Sequence, residues 1–349
     1  MIKNKPHFEV LDGLRGIAAL CVVVFHFAEC VYTDYSKNFI GHGHLAVDFF
    51  FCLSGFVIAY AYDDRIDQMG MLAFFKARLI RLHPLVVIGT LLGVIGFLCS
   101  PWTNVVDNYT FGKIFLLAIG SIFVVPLPLM EDRFFNLFGF NAPAWSLFWE
   151  YVANILYAFL LHKISRRLLS VLVVLTAIVL AVVSYRAGNL VGGWSKSNFW
   201  DGGARLAYSF LAGLLINRSQ WIIRNKLGFI GLTMMLIVAF MIPVFANNWL
   251  VELLVVVFYF PLLIALGAGT KLSSITQKVC QFSGELSYPL YMTHYAFIWI
   301  FASYLSHFKP DIAQITWVII LGTCFLVLWA TGIMVFIDKP IRKYLVAKK

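Results

Sequence analysis

The chain has 349 residues, 61% of them hydrophobic and only 13% charged, with a formal charge of +10. That balance excludes a soluble globular domain, and apolar runs of about 18 or more residues recur from end to end. They predict an all-α, polytopic integral membrane protein, because only helices or closed barrels satisfy their backbone within a bilayer.

Ten spans are predicted in chain order, at about 14–32, 45–62, 80–99, 144–161, 168–185, 204–217, 227–245, 250–268, 284–305 and 313–336. The first could be mistaken for a signal peptide. It lacks a small-residue cleavage site and continues into Glu29 and Cys30, so it reads as a retained span. Segment 111–128 is apolar but broken by Pro126 and Pro128, and it is placed as a re-entrant or interfacial helix on the outer side. With the N-terminus inside, all 27 Lys and Arg fall on the inner side except Lys37, Lys113, Arg133, Arg186, Lys196, Arg205 and Lys309. Making 111–128 a full span would put HKISRR (162–167) outside and weaken that bias. Both termini are therefore expected to be cytoplasmic, in a cell inner membrane, with residues 1–349 forming one domain. Most of the positive charge is then topological, which argues against nucleic acid as a partner and leaves a minority for ligand phosphates. No persuasive internal repeat is visible, which counts against a transporter built from inverted repeats. The six cysteines are scattered in apolar runs without CxxC spacing, so buried thiols are expected, not disulfides or metal ligands.

Within these elements a few ionisable groups stand out. LDGLRGIAALCVVVFHFAEC carries Arg15 and His26, which a helix would separate by about 16 Å. That spacing sets one at the membrane boundary and the other about halfway across. Ionisable groups so placed are candidate functional residues. His26 is either a core histidine hydrogen-bonded to a neighbour such as Glu29, or a general base or nucleophile. In HGHLAVDFFFCLSGFVIAY, the trio His42, His44 and Asp48 makes only a weak metal pattern, and no metal is expected. Asp48 reads better as a helix-packing or substrate group, and the Ser54-Gly55 pair as a place for close helix approach. KARLIRLHPLVV presents Arg78 and Arg81 on one helix face, as a topological anchor or a phosphate clamp. In NAPAWSLFWEYVANILY, Trp145, Ser146 and Trp149 are expected at the outer interface, and Glu150 a turn deeper, where it needs a histidine or a sugar hydroxyl as partner. FSGELSYPLYMTHYAF brings Glu285, Tyr288, Tyr291 and His294 into a span interrupted by Pro289, with His294 at the depth of His26.

Taken in order, LDGLRGIAALCVVVFH, VDFFFCLSGFVI, RLIRLHP, AWSLFWE, LSYPLYMTH and the closing IDKPIRK resemble the acyltransferase 3 family of integral membrane acyltransferases, which includes bacterial polysaccharide O-acetylases. The resemblance runs from residue 8 to about 345. It implies transfer of an acyl group, usually acetyl, from cytoplasmic acyl-CoA to a hydroxyl of a carbohydrate or glycolipid on the far side. Carried over by motif, Arg15 and His26 are the essential pair, Glu150 belongs with Trp145 and Ser146 to the third motif, and Arg78 and Arg81, with Arg15, serve the donor. Asp48, Ser54, Tyr288 and His294 are expected in support. Asp338 departs from the family's usual glutamate before Lys-Pro. Many relatives carry a fused SGNH hydrolase-like domain, so a separate partner of that kind is expected here. The alternative is a transporter or flippase of a lipid-linked sugar or small metabolite, with His26, Glu150 and His294 as a proton relay.

Overall fold

The computed structural model describes residues 7–347; Lys3, Lys5, Lys348 and Lys349, counted among the inner-side cations, lie outside the described residues. The fold is helical, and among the described residues extended pairing is limited to two isolated bridges, Asn136–Ser195 and Asn225–Thr270. In chain order the helices are α1 (Glu9–Val31), α2 (Ala46–Tyr62), the single turn α3 (Ile66–Met69), α4 (Met71–Leu98) and α5 (Phe111–Ile122). Then come α6 (Ala144–Leu156), α7 (Arg166–Ala187), α8 (Phe199–Arg218), α9 (Gly228–Phe240) and α10 (Asn248–Leu254). The chain closes with α11 (Phe260–Ala268), α12 (Ser274–Thr293), α13 (Tyr295–Phe308), α14 (Ile312–Ile333) and α15 (Lys339–Ala347).

Local sequence explains several boundaries. Thr110, Ser165, Ser273 and Asp311 each accept a backbone N–H from the first turn of the helix they precede, and Gly188 closes α7 in the left-handed conformation. Wider π-type turns join α6 to residue 161, α10 to α11 and α14 to α15 without a break in the rod.

Seven helical segments among the described residues are long and apolar enough to cross a bilayer: Glu9–Val31, Gly43–Tyr62, Met71–Leu98, Ala144–Leu161, Arg166–Ala187, Asn248–Ala268 and Ile312–Ala347. The three other expected spans take different forms. Residues 204–217 fall in α8, which also carries Asp201, Arg205 and Arg218. Residues 227–245 contain only the 13-residue α9. Residues 284–305 are split at His294 between α12 and α13. Helix α5, with 12 residues, is about 18 Å long and so shorter than a hydrocarbon core of about 30 Å.

Two close helix pairs build the core. Helices α1 and α12 run parallel, because Gly13 meets Cys280, Gly16 meets Ser283 and His26 meets His294. A Cβ on Gly16 would stand 2.0 Å from Ser283 Oγ, so this seam tolerates only glycine there. Helices α2 and α8 also run parallel. Gly213 faces the Cys52 carbonyl at a distance that would leave a Cβ only 1.9 Å away, and Gly55 packs against Phe210, as the Ser-Gly reading anticipates. Ion pairs pin this second pair near both ends, Asp48–Arg205 at 2.6 Å and Asp63–Arg218 at 2.8 Å. Helices α7 and α14 are mostly exposed and apolar, which marks them as the lipid-facing edges.

The cysteines depart from expectation in part. All six are free; Cys21, Cys52 and Cys280 are buried, Cys30 is half-buried, but Cys99, just past the end of α4, and Cys324, on α14, are exposed.

Candidate active site

A cavity of about 470 Å³ opens among α1, α2, α4, α6, α12 and α15. Four arginines line it: Arg15, Arg78, Arg81 and Arg342. Three are held by carboxylates. Arg15 pairs with Asp12 at 3.1 Å, and also donates to Ser287 Oγ at 3.0 Å and the Gly284 carbonyl at 2.8 Å. Arg78 pairs with Glu150 at 2.5 Å. Arg342 forms a two-point contact with Asp338, at 2.8 and 2.6 Å. Arg81 is exposed, and no ion pair or hydrogen bond engages it among the described residues. Arg78 is 6% exposed, yet its Nε has no hydrogen-bond partner. A buried N–H left unmet is unusual in a native fold and marks a place where a ligand oxygen would be welcome.

The rest of the lining is polar on one side and apolar on the other. Ser54 donates to Glu150 at 3.2 Å, so the side chains that meet this carboxylate are a guanidinium and a hydroxyl; of the two expected partners, a histidine or a sugar hydroxyl, no histidine meets it among the described residues. Tyr288 donates to the Leu82 carbonyl at 2.7 Å. At the upper rim Ser146 and Tyr291 share a hydrogen bond of 2.8 Å, and Phe50 meets the Tyr291 ring edge-on.

His26 does not line this cavity. It belongs to a second cluster farther along α1, reached from the first through Tyr291, whose ring lies 6.1 Å from that of His294. The rings of His294 and His26 stack at 5.3 Å, so the expectation of a common depth for these two is met in space. Tyr295 closes the pocket edge-on to His26 at 4.8 Å. His26 Nδ1 lies 2.5 Å from Glu29 Oε1, and its Nε2 has no partner among the described residues. His294 is fully buried; its Nδ1 approaches the Tyr291 carbonyl at 2.8 Å and its Nε2 is unpartnered.

Several expected site residues sit elsewhere. Asp48 is fully buried against Arg205 and does not line the cavity; Arg205 also donates to the carbonyls of Gly192 and His44. Arg205, counted among the outer-side cations, is buried in the core. Trp145 and Trp149, expected at the outer interface, are both buried, and Trp145 lies under the Arg205 guanidinium at 5.2 Å. His42 and His44 turn away from Asp48 toward Glu252, at 3.6 and 3.3 Å. Among the described residues no group of three or more His, Cys, Asp or Glu side chains could hold a metal ion.

The structure also adds residues. Ser287 and Arg342 join the cavity beside the anticipated Tyr291, and Tyr35 joins the histidine cluster through its 3.4 Å contact with Glu29. Arg342 lies inside the IDKPIRK motif, which was the signal available for it.

The model of the family described as "Acyltransferase domain" matches residues 8–336. A protein from the picA locus of Rhizobium radiobacter is 34% identical over 168 residues, 45% of this chain and 85% of that one. A protein named as a candidate O-acetyltransferase in Staphylococcus aureus (strain COL) is 25% identical over 98% of this chain, which spans 58% of its length. The acyltransferase MdmB of Streptomyces mycarofaciens is 31% identical over 151 residues, 40% of this chain and 36% of that one. No solved structure gives a significant match.

Proposed function

Because the chain belongs to the acyltransferase domain family, we propose that it transfers an acyl group, acetyl by preference, from acyl-CoA to a hydroxyl of a cell-envelope carbohydrate or glycolipid. The observation that carries this reading is the pairing of an arginine-lined cavity with a histidine cluster just beyond its Tyr291 rim. The cavity end is cytoplasmic in this reading. The chain crosses a cell inner membrane ten times, with both termini inside.

The donor's phosphates meet Arg81 first, since it is exposed, and then Arg15, Arg78 and Arg342. Guanidinium groups suit phosphate because their planar N–H pairs match two oxygens at once. Asp12, Glu150 and Asp338 hold three of these forks in orientation. The pantetheine arm runs along the apolar wall of Phe50, Phe51 and Val57 toward Tyr291, delivering the thioester to the histidine level. His26 takes the proton of the acceptor hydroxyl, which approaches from the opposite face of the membrane. Ser146, Tyr288 and His294 line the route between the two levels, while Asp48 and Trp145 hold its walls through Arg205.

Membranes containing the protein, incubated with acetyl-CoA labelled in the acetyl group, test this directly. Free CoA should appear in step with label fixed to a glycan or lipid. Movement of a solute with no thioester cleavage would replace the reading with the carrier alternative.

A further inference from the structure

His26 has an immediate neighbour whose arrangement goes beyond packing. Glu29 lies one turn along α1 and places Oε1 2.5 Å from His26 Nδ1. Its other oxygen, Oε2, faces the Tyr35 hydroxyl at 3.4 Å. Both side chains of the His–Glu pair are largely but not wholly covered, 20% and 22% exposed, so a substrate can reach the ring. The ring is fixed from its other sides by His294, stacked at 5.3 Å, and Tyr295, edge-on at 4.8 Å. Tyr35 is itself fixed, stacked on His44 at 6.2 Å and edge-on to Phe25 at 5.8 Å. Burial and the adjacent Glu29 carboxylate push the Tyr35 phenol up, so it stays protonated and donates.

We infer that Glu29 is the positioning residue for His26: its carboxylate accepts from Nδ1–H, holds the imidazole with a bare Nε2, and stabilises the imidazolium formed during transfer, with Tyr35 bracing the carboxylate. An ionised carboxylate can only accept, so the ring proton must reside on Nδ1 and the lone pair on Nε2. Nε2 is the ring nitrogen that no group among the described residues engages. As the acceptor oxygen bonds to the thioester carbonyl carbon, its proton passes to Nε2. The C–S bond then breaks, and the same proton leaves on the departing thiolate as free CoA thiol. Glu29 neither gains nor loses a proton; it meets the transient positive charge beside it, the role of the carboxylate in a serine-protease triad.

This inference rests on His26 being the base, so His26→Ala is assayed beside the Glu29 variants in the full-length protein, with acetyl-CoA as donor and native membranes as acceptor source. Glu29→Gln is the main variant because it keeps the shape while offering an amide N–H that favours the other tautomer. It should lower kcat at least about 10-fold while KM for acetyl-CoA and detergent-extracted yield stay near the parent's. Glu29→Asp should recover part of the loss, and Tyr35→Phe should cost only a few-fold, given the long contact. Full kcat in Glu29→Gln beside an inactive His26→Ala would overturn the positioning role alone. So would a change confined to KM. An active His26→Ala would remove the base itself and this inference with it.

Discussion

The arginine cavity and the histidine cluster share α1 and α12 as common walls, yet they are built on opposite electrostatic terms. In the cavity, fixed positive charge is abundant and mostly matched: Asp12, Glu150 and Asp338 each hold one guanidinium. In the cluster, among the described residues, no Lys or Arg is paired with the carboxylate, and Glu29 meets an imidazole and a phenol. Each region leaves a buried nitrogen unmet, Arg78 Nε in one and His294 Nε2 in the other. The first is a cationic donor suited to an anion. The second can accept once Nδ1 donates to the Tyr291 carbonyl, which suits a hydroxyl. On the proposed function, binding and proton transfer are separated along one helix pair, because the charges that favour phosphate would disfavour protonation of a base placed among them.

The comparison can be broken hardest at His26. His26→Ala should reduce acetyl transfer by roughly 10²–10⁴-fold and leave retention on immobilised CoA intact, since that residue lies outside the cavity; a loss of CoA binding would merge the two regions into one. Next in size is the scaffold between them. Arg205→Ala strands Asp48 in the core and should cost about 3–5 kcal/mol, seen as a fall in detergent melting temperature, whereas a joint Asp48→Asn, Arg205→Gln replacement should recover much of it. Arg81→Ala removes the unpaired cation and should weaken acetyl-CoA binding by about 10–100-fold, the equivalent of one charge-assisted contact, with kcat at saturation little changed. A lowered kcat with unchanged KM would move Arg81 from binding to chemistry. Smallest is the rim: Ser146→Ala deletes one hydroxyl from the Tyr291 hydrogen bond and should cost about 0.5–1.5 kcal/mol of stability, measurable as a modest melting shift.

Much of this organisation is legible along the chain. Each of the ten expected spans coincides with helix, and the apolar runs place most centres well. Boundaries are less legible. Helix α4 begins at Met71, about nine residues ahead of expectation, because the basic stretch through Arg78 belongs to the helix that carries it to the cavity. Helix α12 begins at Ser274, since 274–283 is polar enough to lack a hydrophobic signal yet carries its own serine cap. Among site residues, the motif arginines and histidines were visible by type and depth. Their partners were not, because helix adjacency leaves no mark in periodicity. Nothing local says that Ser287 meets Arg15, or that Glu150 meets Arg78 in place of a histidine. The burial of Arg205 was not legible either: a count of cations by membrane side does not show that Asp48, in the first turn of α2, is waiting for this one. Close approach along α1 was foreshadowed only by its small residues, Gly13 and Gly16.

The parallel seam of α1 and α12 has a consequence for rotational phase. Eleven residues turn a helix through about 1,100°, three full turns plus roughly 20°. Arg15 and His26 therefore point the same way, and that way is toward α12, which answers with Ser287 at one level and His294 at the other. A single residue inserted between them would swing His26 aside by about 100° while leaving Arg15 in its cavity. The spacing is a gearing constraint: it keeps two stations facing one neighbour, and no side-chain change at either station could restore the alignment.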